Sequence, residues 1–234
     1  FHKHDGFRFA VFPRQGGRWP ELGQSQDRVL MGRFLGRIHA VGALTHFEHR
    51  QDISIDRMGL EASQYVLESH WVPEHLVESY DSITTRLLGS IAEAFLRAGD
   101  TRELRIHGDC HSGNILWTND GPQFVDLDDC VTGPAVQDLW LFLSGERQAR
   151  SLQLQDILEG YSQFYDFDYR ELHLIEALRT LRMIHYTAWI ARRWIDPAFP
   201  RAFPWFSENK YWEEHVLALK EQSAALDEPL LEVM

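Results

Sequence analysis

The sequence predicts an α+β fold that is mainly helical, with a few short strands gathered around one group of polar residues. Long segments place apolar residues at the i, i+3, i+4 and i+7 spacing of a buried helical face. Short apolar runs flank the polar motifs within residues 106–116 and 124–128. With 234 residues and 44% hydrophobic content, the chain can also bury a substantial core.

The chain opens with a predicted strand, a glycine pair and a helix. Residues 7–13 are rich in Phe and Val, which favour a strand. Gly16 and Gly17 suit a flexible linker and an ordinary turn equally well. Residues 25–44 then predict an amphipathic helix, with Ser25 as its N-cap.

Helices dominate the rest of the chain. Residues 52–73 lack a clear period and predict a loop with short helical pieces, and residues 199–206 predict an aromatic, proline-rich loop. Strands are predicted at 104–106, 115–117 and 123–125. Apolar periodicity predicts the remaining helices at 82–98, 134–143, 148–165, 169–194 and 208–226.

Asp109, Asn114 and Asp126 are the most informative residues, because each lies on a short loop beside a strand-like run. The turn signal at residues 119–122 predicts a hairpin that brings Asp126 beside Asn114. Carboxylate and amide oxygens suit Mg²⁺, and a carboxylate such as that of Asp109 can accept the proton of an attacking hydroxyl. The three side chains therefore point to magnesium-dependent phosphoryl transfer.

The pattern from His107 to Asn114, His-Gly-Asp-x-x-x-x-Asn, followed by a hairpin and Asp-x-Asp, resembles the aminoglycoside phosphotransferase and choline kinase family. This resemblance implies the large, C-terminal lobe of a protein-kinase-like fold, with ATP as co-substrate and Mg²⁺ as cofactor. It also implies Asp109 and Asp126 as catalytic residues, with Asn114 and Asp126 as metal ligands.

Kinases of this kind carry a small N-terminal lobe with a Gly-rich loop and a strand-borne Lys, and neither is found ahead of the opening strand. We therefore interpret residues 1–18 as the last small-lobe strand and the hinge, and residues 19–234 as the large lobe. The resemblance implies that the hinge backbone at Val11, Phe12 and Pro13 contacts adenine. We expect the chain by itself to bind ATP weakly and to be inactive.

The acceptor is open between two classes. A cytoplasmic serine/threonine protein kinase within the family resembles this chain at residues 107–117, 124–129, 133–140 and 188–204, which implies a protein acceptor. A kinase for a sugar, an amino alcohol or an aminoglycoside shares the same motifs, so a small hydroxyl-bearing substrate stays an alternative. A non-enzymatic binding module, or an inactive fragment without the small lobe, is a third interpretation.

Two histidines and two cysteines lie near the polar motif. We favour a structural role for His107, orienting the loop backbone, whereas His111 is a candidate for contacting the phosphates of the nucleotide or the substrate hydroxyl. A zinc site made of these histidines with Cys110 and Cys130 lacks paired ligand spacing and leaves the acidic motif unexplained. We therefore predict free thiols, with the neighbouring Asp109 raising the pKa of Cys110.

Two features farther along the chain have structural interpretations first. Asp138 falls at a helix start, where it can compensate the helix dipole, and in the resembling family an Asp here braces the catalytic loop. A polar and aromatic stripe follows within residues 179–193, and we favour a packed or solvated face for it over a substrate-recognition surface. If the stripe lines the cleft instead, Arg182 and Arg193 could contact an acidic or phosphorylated substrate.

Charge and composition bear on partners and location. The chain has 35 acidic and 23 basic residues, a formal net charge of -12, which disfavours nucleic acid and anionic membranes as partners. It shows no signal peptide and no apolar run near 20 residues, and only two cysteines. We expect a cytoplasmic monomer.

Overall fold

The computed structural model describes residues 2–233, and helices account for most of them. The mainly helical class predicted from the apolar periodicity is therefore confirmed. The helices are α1 Ser25–Gly42, α2 Glu61–Glu68, α3 Val77–Ala98, α4 Gln137–Trp140, α5 Arg147–Tyr161, α6 Ile175–Arg193, α7 Ala198–Ala202 and α8 Asn209–Ala225. No helix within the described range is long and apolar enough to cross a membrane.

The strands pair into small antiparallel sheets, each of two strands. The strands are β1 His2–His4, β2 Phe7–Phe9, β3 Leu104–Ile106, β4 Ile115–Thr118, β5 Gly121–Phe124 and β6 Val131–Gly133. In the first sheet, β1 pairs with β2, and in the second β3 pairs with β6, so that Arg105 lies opposite Thr132. In the third, β4 and β5 form the predicted hairpin, with Ile115 opposite Phe124.

Helices α1 and α5 pack with their backbones in close approach, and glycines make this possible. A Cβ added to Gly32 would lie 1.9 Å from the carbonyl oxygen of Ile157, and one added to Gly160 would lie 1.9 Å from the carbonyl oxygen of Val29. At the edge of this contact, Arg28 pairs with Asp156. The pair of helices forms one wall of the main hydrophobic core.

A second hydrophobic core joins α2, α3, α6 and α8. Its centre is aromatic: Tyr80 and Trp212 meet edge to face, with ring centroids 6.2 Å apart, and Trp212 also contacts Phe206. The Trp212 indole N–H donates to the backbone oxygen of Phe206 at 3.0 Å, so its polar atom is satisfied in the core. Helix α6 contributes to both cores, with Ile175 and Leu178 in the first and Ile184 and Ala188 in the second.

The loop prediction for residues 52–73 is wrong over its central part. Asp56–Leu60 form a π-helical turn that continues directly into α2. Gly59 lies against the side chains of Leu88 and Leu181, and small or polar residues occupy much of the buried face of α2. Because those residues carry little apolar signal, the sequence shows no helical period there.

Several predicted boundaries also shift. The opening strand ends at Phe9 rather than at residue 13, and the helix predicted over 134–143 is α-helical only in α4. The helix predicted over 169–194 begins as a 3₁₀ helix, Tyr169–Leu174, before α6. The predicted loop at 199–206 is largely covered by α7 and a 3₁₀ turn. Phe1, within the predicted small-lobe segment, and Met234 lie outside the described residues.

The glycine contact between α1 and α5 gives a stability prediction. Gly32→Ala would drive a methyl group into the backbone of Ile157, so we expect the free energy of unfolding to fall by about 2 to 3 kcal/mol in a urea titration. Gly89→Ala is the matched control, because a Cβ at this exposed position of α3 meets nothing within 4 Å. That variant should be about 0.5 to 1 kcal/mol more stable than the parent. Equal stabilities for the two variants would contradict the close helix packing.

Candidate active site

The loop that follows β3 is held by one buried carboxylate. Asp138, at the start of α4, is fully buried. Its Oδ2 accepts from the backbone N–H of His107 at 2.7 Å, and its Oδ1 accepts from the backbone N–H of Gly108 at 2.8 Å. Gly108 has a φ of 82°, a left-handed conformation that favours glycine. Asp138 therefore fixes the backbone immediately before Asp109, as the resemblance implied.

A histidine and a tyrosine extend this support into the main core. His39 Nε2 lies 3.1 Å from Asp138 Oδ2, and His39 Nδ1 lies 2.9 Å from the Tyr161 hydroxyl. A carboxylate only accepts hydrogen bonds, so Nε2 donates to the Asp138 carboxylate, and Nδ1 lies within hydrogen-bond distance of the hydroxyl. Burial raises the pKa of Tyr161, which keeps the hydroxyl protonated as a donor. The chain of contacts thus connects α1 and α5 to the loop.

His107 and Gln137 tie the loop to its neighbours. The His107 ring is buried, and its Nε2 lies 2.8 Å from the backbone oxygen of Val125, the residue before Asp126. Gln137 Nε2 donates to the backbone oxygen of Gly108 at 2.8 Å. The structural role predicted for His107 is confirmed, because this ring holds the loop of Asp109 and the loop of Asp126 at a fixed separation.

Asp109 lies among three polar side chains, two from its own loop and one from α6. Arg182 Nη1, on α6, is 2.5 Å from Asp109 Oδ1. Asn114 Nδ2 donates to the backbone oxygen of Asp109 at 3.0 Å and lies 3.4 Å from its Oδ2. His111 Nε2 is also 3.4 Å from Oδ2. The structure thus brings Asp109, His111 and Asn114 together and adds Arg182 to them.

Asn114 and Asp126 meet across the β4–β5 hairpin. The hairpin register places Ile115 opposite Phe124, and the backbone N–H of Val125 donates to the backbone oxygen of Asn114 at 3.0 Å. Asp126 follows with a φ of 60° and a ψ of 59°, a left-handed conformation that turns the chain out of the strand. The hairpin prediction is confirmed, and it places the two predicted metal ligands at the same end of the hairpin.

The donor set at this end suits a hard divalent cation. The Asn114 amide nitrogen is engaged by Asp109, so its Oδ1 faces the other way, as an acceptor. Asp126 is solvent-exposed, and within residues 2–233 its carboxylate takes part in no hydrogen bond or ion pair. One carboxylate and one amide oxygen, completed by phosphate oxygens and water, fit the way in which Mg²⁺ is bound beside nucleotides.

The cysteines do not form a metal centre. In the described part of the chain, no three His, Cys, Asp or Glu side chains converge as metal ligands. Cys110 is buried and Cys130 is half-buried, and both are free thiols, as predicted. Burial raises the pKa of Cys110 well above its ordinary value, and the charges of Asp138 and Asp109 add to the effect.

The predicted nucleotide contacts lie at the start of the chain. Val11 and Phe12 belong to an irregular segment after β2 and are 76% and 79% exposed, so nothing in the described residues covers them. The segment returns to the site at Arg18, which pairs with Trp117 of β4 in a β-bridge. Gly17 packs against Leu116 there, which favours the ordinary turn over a flexible linker.

Three residues of the site carry a weak signal in the sequence or none. His39 follows Leu35 at i+4 on α1, so only its position on an apolar face indicates burial. Tyr161 closes the buried face of α5 in the same way. Arg182 was predicted on a packed polar stripe, and its ion pair with Asp109 arises from tertiary packing that spacing alone does not reveal.

A kinase-like lobe with an anchored Asp loop and an Asn–Asp hairpin defines a phosphotransferase. The chain belongs to the phosphotransferase enzyme family, whose sequence pattern matches residues 2–175. It is 42% identical over 230 residues to stress response kinase A of Escherichia coli (strain K12), covering 98% of this chain and 69% of that protein. A Salmonella typhimurium relative, 41% identical over 230 residues, bears the name serine/threonine protein kinase RdoA.

Solved structures of small-molecule kinases share the fold. Amicoumacin kinase hAmiN, in complex with AMP-PNP and Ca²⁺, superimposes with a TM-score of 0.59 at 16% identity, over 92% of this chain and 63% of that one. Choline kinase from Cryptosporidium parvum gives a TM-score of 0.60 at 13% identity, over 93% of this chain and 72% of that one. The predicted protein-kinase-like fold is therefore confirmed.

Glu171 is a second buried carboxylate behind the site. Its Oε2 accepts from the backbone N–H of Val136 at 2.8 Å, so it fixes the turn that leads into α4 and Asp138. The side chain is 2% exposed, and burial raises its pKa from 4.5 to about 7. Folding therefore favours the protonated form of this side chain.

The raised pKa predicts a pH-dependent effect of Glu171→Gln. The stability that the protonated carboxyl contributes is fully present below pH 4.5 and is lost as the pH rises through about 7. The amide oxygen of Gln can still accept from Val136 and never ionises. In urea titrations, the free energy of unfolding of the variant relative to that of the parent should therefore rise by roughly 2 kcal/mol from pH 5 to pH 8. Glu221→Gln, at an exposed position of α8, is the control and should show no such change. If Glu171→Gln differed from the parent by the same free energy of unfolding at pH 5 and pH 8, the effect of burial on Glu171 would be contradicted.

Asp138→Asn tests the loop anchor directly. An amide offers one acceptor oxygen where the carboxylate serves two backbone N–H groups and His39. We expect the free energy of unfolding to fall by about 3 kcal/mol, because at least one buried donor loses its partner. The exposed Asp120→Asn is the control and should change stability by less than about 0.5 kcal/mol. Full stability of Asp138→Asn would show that the loop does not depend on this carboxylate.

Proposed function

We propose that this protein is an ATP- and Mg²⁺-dependent kinase that transfers the γ-phosphate to a hydroxyl of a protein serine or threonine. The observation that carries the proposal is the geometry around Asp109: its carboxylate lies beside Asn114, and the hairpin places Asp126 at the same end. Phosphoryl transfer requires a base and two oxygen ligands for the metal ion from the large lobe. This small set is enough because catalysis comes from positioning and charge neutralisation.

Each residue has a role in this proposal. Asp109 aligns the acceptor hydroxyl and takes its proton, while Arg182 holds one of its oxygens and leaves the other toward Asn114 and His111. Asn114 and Asp126 would hold Mg²⁺. When bound, this ion neutralises the charge that develops on the transferring phosphoryl group.

In this proposal, residues at both ends of the site contact the nucleotide. Next to the ligands, His111 is available to contact phosphate: its Nδ1 accepts from the backbone N–H of Gly113 at 2.9 Å, which leaves Nε2 toward Asp109. The backbone of Val11, Phe12 and Pro13 would contact adenine as the hinge.

Sequence identity to known kinases distinguishes the two candidate acceptors. The relatives at 41% and 42% identity are stress response kinases, one of them named as a serine/threonine protein kinase. The choline and amicoumacin kinases are only 13% and 16% identical, so they support the fold and not the acceptor. A protein acceptor is therefore favoured, and a small hydroxyl-bearing substrate is the second candidate.

This chain spans 69% of the length of stress response kinase A. We propose that a small lobe supplies the Gly-rich loop and the Lys, with residues 1–18 as its last strand and hinge. The chain by itself would then act at most as an inactive lobe that binds ATP weakly. The cytoplasmic location and the monomeric state stay predictions.

Asp109→Asn tests the proposed base. In the product of the full reading frame, we expect kcat for transfer from radiolabelled ATP to a casein-like protein to fall by about 100-fold or more, because an amide cannot accept the proton. Asp120→Asn, on the hairpin turn, is the matched control and should keep the parent rate. Both variants should melt within a few degrees of the parent. A kcat for Asp109→Asn within tenfold of the parent, with the fold intact, would refute the role.

The same assay separates the acceptors. Parallel reactions with a panel of small alcohols, amino alcohols and aminoglycosides use the same enzyme and the same ATP. Transfer to protein in preference to these compounds supports the proposal. Transfer only to a small compound would identify the second candidate instead.

A further inference from the structure

We propose that the face of α6 beside Asp109 binds an acidic segment of the protein acceptor, through a row of arginines and an aromatic platform. The inference rests on the proposed function, because it specifies the acceptor of the same site. We call Arg57, Arg182, Arg192 and Arg193 the arginine row. The chain as a whole has a net charge of -12, so a local row of four arginines is a marked departure from its surroundings.

The arginine row runs from the candidate base outward. Arg182 contacts Asp109 at 2.5 Å and starts the row. Arg192 and Arg193 follow ten and eleven positions later on α6, about 15 Å along the helix axis. Arg57 comes from the π-helical turn that packs against α6.

His185 lies in the middle of the row, and its ionisation reflects the surrounding charge. Burial, together with the charges of all four arginines in the row, lowers the pKa of His185 to about 4. The Arg192 charge also acts on the pKa of Arg57, so these two guanidinium groups share one region. The four guanidinium groups are therefore clustered around one half-buried histidine.

The outer arginines of the row form no close ion pair within the described residues. Arg57 donates to the backbone oxygen of Asp52 at 2.9 Å, and Arg192 donates to the backbone oxygen of Glu61 at 3.5 Å. The carboxylates of Asp52 and Glu61 are near enough to favour the charged form of Arg57. Within residues 2–233, however, no carboxylate lies within 4.0 Å of Arg57, Arg192 or Arg193. Guanidinium groups held by carbonyls keep donors for an incoming carboxylate or phosphate.

An aromatic platform lies along the same helix. Tyr186 and Trp189 are stacked, with ring centroids 5.9 Å apart and planes inclined by 10°. Phe199 and Phe203 pack against Trp189, and the Arg193 guanidinium lies 4.7 Å above its ring. Tyr186 is 40% exposed. A rigid platform of this kind can pack against the apolar parts of a peptide without a large loss of side-chain freedom.

The length of the surface favours a peptide over a metabolite. An extended peptide advances about 3.3 Å per residue, so about 15 Å corresponds to four or five residues. With the acceptor hydroxyl at Asp109, an acidic residue three to five positions away would reach Arg57 and Arg192. The negative charge of the rest of the protein repels such a segment elsewhere and directs it to the row.

Peptide binding tests the inference without any turnover. The probe is a fluorescent 11-residue peptide with a central Ser and Glu three to five positions away on both sides, and its counterparts carry Gln or Lys at the same places. In fluorescence anisotropy with this chain, we expect the Glu peptide to bind with a Kd about tenfold or more below that of the Gln peptide. The difference should shrink in high salt, and the Lys peptide should bind weakest.

Arg192→Glu locates the binding, and its exposed position keeps the fold intact. The substitution should raise the Kd of the Glu peptide by about tenfold or more, so that the Lys peptide then binds more tightly than the Glu peptide. Arg86→Glu makes the same charge change at an exposed position of α3 and should alter either Kd by less than about twofold. Equal Kd values for the Glu and Gln peptides, or equal losses in Arg192→Glu and Arg86→Glu, would overturn the inference. Neither result bears on the proposed kinase activity, which the Asp109→Asn assay tests separately.

Discussion

The buried carboxylate of Asp138 accepts hydrogen bonds from the backbone N–H groups of His107 and Gly108 and from the ring of His39. An unpaired carboxylate in a core would be costly, so the three donors and the acceptor depend on one another. Through His39 and Tyr161, the contact also joins the closely packed pair α1 and α5 to the loop. The position of the proposed base is therefore set by the packing of helices far from it in sequence.

Local features of the fold were predictable, and features made by tertiary contacts were not. The β4–β5 hairpin follows from its turn residues, and α1, α3, α5 and α8 follow from their apolar period. The helix formed by residues 56–68 was missed because its buried face is made of Gly59 and small or polar residues. The three residues of β6 gave no signal, since their strand exists only by pairing with β3.

The candidate site divides in the same way. Asp109, Asn114 and Asp126 could be found from the sequence because a loop and a hairpin bring them together over a few residues. Arg182 contacts Asp109 from 73 residues away, and His39 supports the loop from α1, so spacing cannot reveal either. The same distant element, α6, supplies both Arg182, the partner of the base, and Arg192 and Arg193 of the arginine row. Catalysis and acceptor choice would thus be built on one helix.

Amide hydrogen exchange of His107 and Gly108, followed by NMR on this chain, shows whether the Asp138 carboxylate holds the backbone of the loop. We expect both amides to exchange only through global unfolding, with protection equal to that of core amides such as that of Leu35 in α1. Exchange of either amide as fast as that of Gly16, in the irregular segment after β2, would contradict it.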